Sequence, residues 1–344
     1  MTLADQIGQM LCFGWSDVAS GDSRTVNAHA EALLRDLRVG SVVLMGRNIS
    51  PPPTLRAMLT DLQAQAQEHG LPSLLVAVDQ EGGRVSRLRP PHYAPRLAAR
   101  TLGATNQPQP SRAWAGALGH ELASVGINWD FAPVLDVDNN PANPVIGDRA
   151  FSDDPHTVAR LGVAAVLGLQ EDAGVLACGK HFPGHGDTDT DSHFALPRIP
   201  HPRARLESVE LVPFRAAIDA GLGAIMTAHI LFPALDSALP ATLSPTVLSS
   251  LLRREMAFDG LIVTDDLEMR GVADGWGAAQ AAVLAVQAGA DVLLCCHTLA
   301  TQRAIQAALR DAVRAGHITQ TRLDESLTRI ARAKARWGSV RHDG

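Results

Sequence analysis

The stretch Leu74-Leu-Val-Ala-Val-Asp-Gln-Glu-Gly-Gly-Arg84 sets an apolar run of strand length directly against polar side chains and a pair of glycines. Such a run, bounded by turn residues, reads as a strand buried on both faces. Charges placed immediately past its end must face a polar cleft or one another, because an unpaired buried charge costs several kcal/mol. The same design recurs along the chain. Met10–Trp15, Ser41–Met45, Leu74–Asp79, Ile127–Ala132, Val175–His181, Ala224–His229, Leu261–Asp265 and Asp291–Cys296 are eight candidate strands. Between them the spacing predicts helices over Thr25–Leu37, Pro53–His69, Arg112–Ser124, Pro155–Asp172, Leu206–Ala220 and Ala278–Ala288. Gly70, Gly174 and Gly289 stand where a left-handed cap residue is wanted, and Pro53 stands where a missing N–H costs nothing. Eight alternations with no Pro-, Gly- or Ser-rich linker predict one α/β domain over residues 1–344, a (β/α)8 TIM barrel rather than a doubly wound sheet. From about residue 300 to Trp337 two further helices follow, the second opened by Thr321-Arg-Leu-Asp324 as a variant capping box.

Composition narrows the function classes. A hydrophobic share of 46% in 344 residues is ample for a large core, and a net charge of −6 with no basic run argues against a nucleic-acid partner. Cys12, Cys178, Cys295 and Cys296 sit inside apolar stretches without the spacing of zinc or redox sites, so they read as core residues in a reducing compartment. The start Met1-Thr-Leu-Ala-Asp-Gln lacks a basic segment followed by an apolar one, and no run is long and apolar enough to span a bilayer. A cytoplasmic protein without a membrane partner is the expectation. Aromatic residues make up 4% of the chain, which favours a small pocket over a long cleft lined with stacking platforms.

In a barrel, catalytic groups belong where strands run out into their C-terminal loops. Asp79-Gln-Glu81, Lys180-His181, His229 and Asp265-Asp266 all stand there. The densest segment is Lys180-His-Phe-Pro-Gly-His-Gly-Asp-Thr-Asp-Thr-Asp-Ser-His193. His181, His185, His193 and His201, four of 13 histidines, fall within 21 residues, where scattering would place about one. Its glycines and prolines predict an extended loop from Pro183 to Pro200, with few apolar anchors and therefore mobile. Asp191 lies two residues before His193, on the same side of an extended segment, where a carboxylate can orient an imidazole. A zinc-type barrel hydrolase is the competing reading; such centres commonly draw histidines from the first strand, and Met10–Trp15 has none, so no metal is expected.

Three strings, Val78-Asp-Gln-Glu-Gly-Gly-Arg84, Lys180-His-Phe-Pro-Gly-His-Gly186 with Asp191-x-His193, and Thr264-Asp-Asp-Leu-Glu-Met269, resemble the β-N-acetylhexosaminidases of glycoside hydrolase family 3, in particular the single-domain bacterial type. The resemblance runs from about Gln6 to Trp337. It implies a (β/α)8 barrel without a cofactor, removing terminal β-linked N-acetylglucosamine with retention, from cell-wall muropeptides or their disaccharides in peptidoglycan recycling. By motif position it assigns Asp265 as nucleophile and His193 as acid/base with Asp191 as its partner, leaving Asp266 a structural neighbour. It also assigns Asp79, Arg87, Arg149, Lys180 and His181 to the sugar, with His229 touching substrate or bracing the loop. A His–Asp pair departs from the two-carboxylate arrangement of most retaining glycosidases. The rival readings are a phosphorylase or β-glucosidase of the same family, the metal-dependent hydrolase, and a non-catalytic sugar-binding barrel.

Overall fold

The computed structural model describes residues 1–16, 21–191 and 195–338. Its core is a parallel sheet of β1 (Leu11–Phe13), β2 (Ser41–Leu44), β3 (Leu75–Val78), β4 (Trp129–Asp130), β5 (Leu176–Phe182), β6 (Ala224–Thr227), β7 (Leu261–Val263) and β8 (Leu293–Cys295). The spatial order β8-β1-β2-β3-β4-β5-β6-β7 follows the chain, and a parallel bridge between Val263 and Val292 joins the two ends. The sheet is therefore a barrel, with each expected strand in place. The strands are buried along their whole length except for Val85 in the small antiparallel hairpin that follows β3, which lies outside the barrel sheet.

Where the elements differ from the expected ones, proline and glycine supply the reason. β4 stops early because Pro133 has no N–H for the ladder; the chain nonetheless stays against β5, with the carbonyls of Ala132 and Pro133 accepting from Cys178 and Lys180. The helix expected over 206–220 is two helices, Arg203–Ser208 and Leu211–Asp219. An unbroken helix would drive the Pro213 ring into the carbonyl of Val209, whereas a break at Val209 puts Pro213 in a first turn. The helix from Pro155 to Leu167 widens into a π turn over Gly168–Asp172. Gly168 packs so close to the preceding helix that a Cβ there would lie 2.4 Å from the Arg112 carbonyl oxygen. The last helix, Gln320–Trp337, is capped by Thr319, whose side chain accepts from the Arg322 N–H at 3.2 Å, and not by Thr321. The four cysteines are free and buried, and among the described residues no helix is long and apolar enough to cross a membrane.

Candidate active site

At the C-terminal mouth of the barrel lies a cavity of about 400 Å³, within the range of small-ligand sites. One wall comes from β3 and β5. Past Val78 the chain turns through Gln80–Gly82 and back at Val85, with Gly82 at φ +85°; a Cβ there would also sit 2.2 Å from the Leu97 carbonyl oxygen. This return swings Glu81 and Arg87 over the cavity. Gln80 pins it, its Oε1 accepting from the N–H groups of Arg87 and Leu88 at 2.8 and 3.0 Å. Lys180, projecting from β5 and 2% exposed, donates from Nζ to Asp79 Oδ1 at 2.8 Å and pairs with Glu81 Oε1 at 2.6 Å. Arg149 grips Glu81 through Nε and Nη2 at 2.8 and 2.9 Å, and Arg87 Nη2 reaches Asp79 Oδ2 at 3.1 Å.

Burial alone would raise both carboxyls, but the cations outweigh it. Lys180 and Arg87 hold Asp79 well below the usual carboxylate range, and Arg149 with Lys180 brings Glu81 to about 2. The wall is thus a lattice of fixed charges that stays ionised near neutral pH. Asp136, fully buried, completes it. Its Oδ1 accepts from the backbone N–H groups of His181 and His185 at 3.1 and 2.7 Å, and its Oδ2 from His181 Nδ1 at 2.7 Å. With the proton fixed on Nδ1, His181 Nε2 accepts from Arg149 Nη2 at 3.4 Å. The neighbouring His185 is buried and faces His181, and the two causes in that order push its pKa down to about 4.

The opposite wall is built by the ends of β7 and β8. Asp265 follows Val263-Thr264 and lines the cavity; its Oδ1 accepts the Asp266 N–H at 2.8 Å. Asp266 Oδ1 accepts from the N–H groups of Glu268 and Cys296 at 3.1 and 3.3 Å, while Oδ2 faces His297 Nε2 at 3.5 Å. Glu268 Oε2 accepts from the N–H groups of His297 and Thr298 at 2.7 and 3.3 Å. Burial first, and then the charges of Glu268 and Asp265, push Asp266 up to about 7. Asp266, Cys296 and His297 also bring ligand-capable atoms within 4.8 Å of one another. Arg47 Nη1, however, donates to His297 Nδ1 at 3.0 Å, which leaves the ring proton on Nε2, the nitrogen a metal would require. Nε2 therefore faces Asp266 as a protonated nitrogen and not as a ligand.

Of the residues singled out in the sequence, Asp79, Arg87, Arg149, Lys180, His181 and Asp265 all line this one cavity. His193 lies outside the described residues. Asp191 does not line the cavity; its carbonyl accepts the Ala195 N–H at 3.2 Å. His229, expected to touch substrate or brace the loop, does not line the cavity; its Nδ1 meets Thr242 Oγ1 at 2.8 Å and its Nε2 donates to the Asp266 carbonyl at 3.0 Å, contacts that brace the β7 loop from behind. The expectation of mobility from 183 to 200 is also too broad. His185 and Thr188 are buried, Asn143 donates to the carbonyls of His185 and Gly186, the Ile199 N–H donates to the Leu231 carbonyl at 2.9 Å, and the Leu231 N–H to the Pro197 carbonyl at 3.0 Å. Glu81, Asp136, Asp266, Glu268 and His297 are the site residues the sequence reading did not assign. Asp136 had a readable signal, a carboxylate inside the apolar run Val134-Leu-Asp-Val137 past the fourth strand.

Residues 2–333 match the model of the glycosyl hydrolase family 3 N-terminal domain. The chain belongs to this family. Within family 3, it is 37% identical to beta-hexosaminidase A of Pseudoalteromonas piscicida over 98% of its own length and 61% of that protein, and 42% identical to a beta-hexosaminidase of Thiobacillus denitrificans over 77% and 73%. Among solved structures it is similar to a family 3 beta-N-acetylglucosaminidase from Paenibacillus, with a TM-score of 0.94 at 41% identity, covering 100% of this chain and 64% of that one. A beta-N-acetylhexosaminidase from Beutenbergia cavernae aligns with a TM-score of 0.89 at 32% identity over 97% and 99%. The chain thus spans less than two thirds of the Pseudoalteromonas and Paenibacillus proteins and nearly all of the Beutenbergia one.

Proposed function

We propose that the protein is a retaining exo-β-N-acetylglucosaminidase that removes terminal β-linked N-acetylglucosamine from muropeptides or cell-wall disaccharides in the cytoplasm, as part of peptidoglycan recycling. The observation that carries this reading is a carboxylate, Asp265, placed across a small cavity from the Asp79–Lys180–Glu81–Arg149 lattice. The lattice offers charged donors and acceptors to sugar hydroxyls, and charge-assisted hydrogen bonds are about twice as strong as neutral ones. The names of the similar proteins support the substrate class, and the four free cysteines support a reducing compartment.

In the reaction, an Asp265 carboxylate oxygen attacks the anomeric carbon as the bond to the leaving oxygen breaks. His193, oriented by Asp191, gives that oxygen its proton. In the second half His193 takes a proton from water, the water oxygen attacks the anomeric carbon, and Asp265 departs. Two inversions give net retention. Incubation with a chromogenic β-N-acetylglucosaminide beside the β-glucoside and the β-galactosaminide, with and without phosphate, tests the assignment. Preferential, phosphate-independent turnover of the first substrate supports it. Preference for the glucoside, or a rate that depends on phosphate, replaces it with one of the rival family activities. His193→Ala should lose about 10²–10⁴-fold on substrates with poor leaving groups and far less on activated aryl glycosides. Equal losses on both would move the acid role, with His185 the first residue to examine.

A further inference from the structure

One chain of contacts at the cavity wall plays no part in the steps above. Arg47 Nη1 donates to His297 Nδ1 at 3.0 Å, His297 Nε2 faces Asp266 Oδ2 at 3.5 Å, and the Asp266 N–H donates to Asp265 Oδ1 at 2.8 Å. Arg47 is itself fixed by its Nε bond to the Trp15 carbonyl at 2.7 Å, and the His297 N–H is fixed on Glu268. The imidazole is therefore oriented from both ends, by β1 and β2 on one side and the β7 loop on the other. His297 Nε2 thus stands 3.5 Å from a carboxyl beside the nucleophile, a separation long for a hydrogen bond but short enough for electrostatic influence.

We propose that His297 is a positioning residue for the glycosidase reaction, holding Asp266 as the second negative charge beside Asp265; this rests on the function proposed above. The chemistry follows from the transition state. Positive charge grows on the anomeric carbon and ring oxygen as the leaving group departs. A second carboxylate next to the nucleophile stabilises that charge only when ionised, and burial works against its ionisation. The groups facing Asp266 are Asp265 and Glu268 from its own loop, Cys295, Cys296 and His297 from β8, and His229 through the Asp266 carbonyl. Two of these, Asp265 and Glu268, push its pKa upward. His297 is the imidazole facing its outer oxygen at 3.5 Å, and burial and Arg47 lower the pKa of His297 itself.

The test is the pH dependence of kcat/KM on an activated aryl N-acetylglucosaminide, for which acid assistance is not needed, in wild type, His297→Gln, Asp266→Asn and the double variant. The wild type should lose rate on the acidic side with an apparent pKa near 7, the value to which Asp266 is pushed. His297→Gln should shift that limb upward by about half a unit or more and lower kcat about three- to tenfold with KM little changed. Asp266→Asn should abolish the limb, and adding His297→Gln to it should cost nothing further. An unshifted limb, an equal loss in the Asp266→Asn background, or a rise in KM with kcat intact each overturns the proposal. A substrate-free arm separates this from failure of the glycosidase assignment: the pH dependence of thermal stability attributable to Asp266 should move upward in His297→Gln whatever sugar the enzyme takes, and an unmoved profile overturns the proposal even if activity is confirmed.

Discussion

On the wall made by β3, β4 and β5, Asp79, Glu81 and Asp136 each face a lysine, an arginine or an imidazole, and their carboxyls are held below the ordinary range. On the wall made by β7 and β8, the partners of Asp266 and Glu268 are backbone N–H groups, the Cys295 and Cys296 thiols and one distant imidazole; among the described residues neither pairs with a lysine or arginine, and Asp266 is pushed up to about 7. Charge on the first wall is neutralised in place, which fixes a shape. On the second, Asp266 is buried and Asp265, Asp266 and Glu268 crowd like charges together, which raises the Asp266 pKa instead of fixing its charge. In the proposed reaction recognition falls to the first wall and reactivity to the second, although each wall is rich in carboxylates.

The largest effect should come from the reactive wall. Asp265→Ala should reduce kcat/KM by about 10⁴-fold or more, with little loss of folding stability, and an activated fluorosugar should label Asp265 in the wild type. Steady-state kinetics and peptide mapping of the labelled protein check this. Label on Asp266 or Glu268 would place the nucleophile elsewhere on the same wall, and comparable losses of stability and activity would erase the distinction between the walls.

This contrast also governs what the sequence could disclose. Strand ends were legible because apolar runs such as Leu74–Val78 stop at charges, and a strand buried on both faces has nowhere else to put them. Lys180 and Asp79 could therefore be placed in one cleft from the sequence. Their pairing through Glu81 could not, since it depends on a hairpin whose return angle is set by Gly82 and Gly83 against Leu97 and Ala98. His229 shows the opposite limit. A histidine ending a strand has the same local pattern whether it faces the cavity or hydrogen-bonds behind it, and only the position of Thr242, on a separate segment, decides. Likewise the segment after Lys180 has the composition of a mobile loop, yet its first turn is tied down by Asp136 and Asn143, residues some forty positions earlier in the chain.

On the recognition wall, Lys180→Ala should destabilise the fold by about 3–5 kcal/mol, because Asp79 and Glu81 would share one buried site without the cation between them. Denaturant unfolding measures the loss. Lys180→Met, which keeps the volume, should remain nearly as destabilised, and recovery of stability in that variant would assign the effect to packing rather than charge.

The Asp266 carboxyl provides a pH signature. Its folded pKa, about 7, lies above the ordinary 3.8, so between these values the folded state holds a proton that the unfolded state has released. The stability contributed by that proton falls as pH rises and is gone above about 7. Asp266→Asn keeps an acceptor for the N–H groups of Glu268 and Cys296 but cannot ionise. The variant should therefore gain on the wild type by roughly 2–4 kcal/mol between about pH 4 and about pH 8. Comparing the two proteins at each pH cancels His185, which acts in the opposite direction: its pKa is depressed to about 4, so its contribution is lost as pH falls below the ordinary histidine value. A constant difference across the range would mean that Asp266 is ionised throughout and that the two walls do not differ in this respect.

The smallest effect is expected where the first wall meets solvent. Arg87 pairs with Asp79, but its side chain is 26% exposed and Asp79 keeps Lys180 when Arg87 is removed. Arg87→Ala should therefore cost about 1 kcal/mol or less in stability, against several for Arg149→Ala, whose two bonds to Glu81 are buried. Its effect on sugar binding should be larger than its effect on folding, because Arg87 lines the cavity and its guanidinium offers charged donors there. KM for the N-acetylglucosaminide should rise several-fold at nearly unchanged melting temperature. If Arg87→Ala instead destabilised the protein as much as Arg149→Ala and left KM alone, the rim would belong to the load of the fold, and the recognition wall would extend no further outward than Lys180 and Arg149.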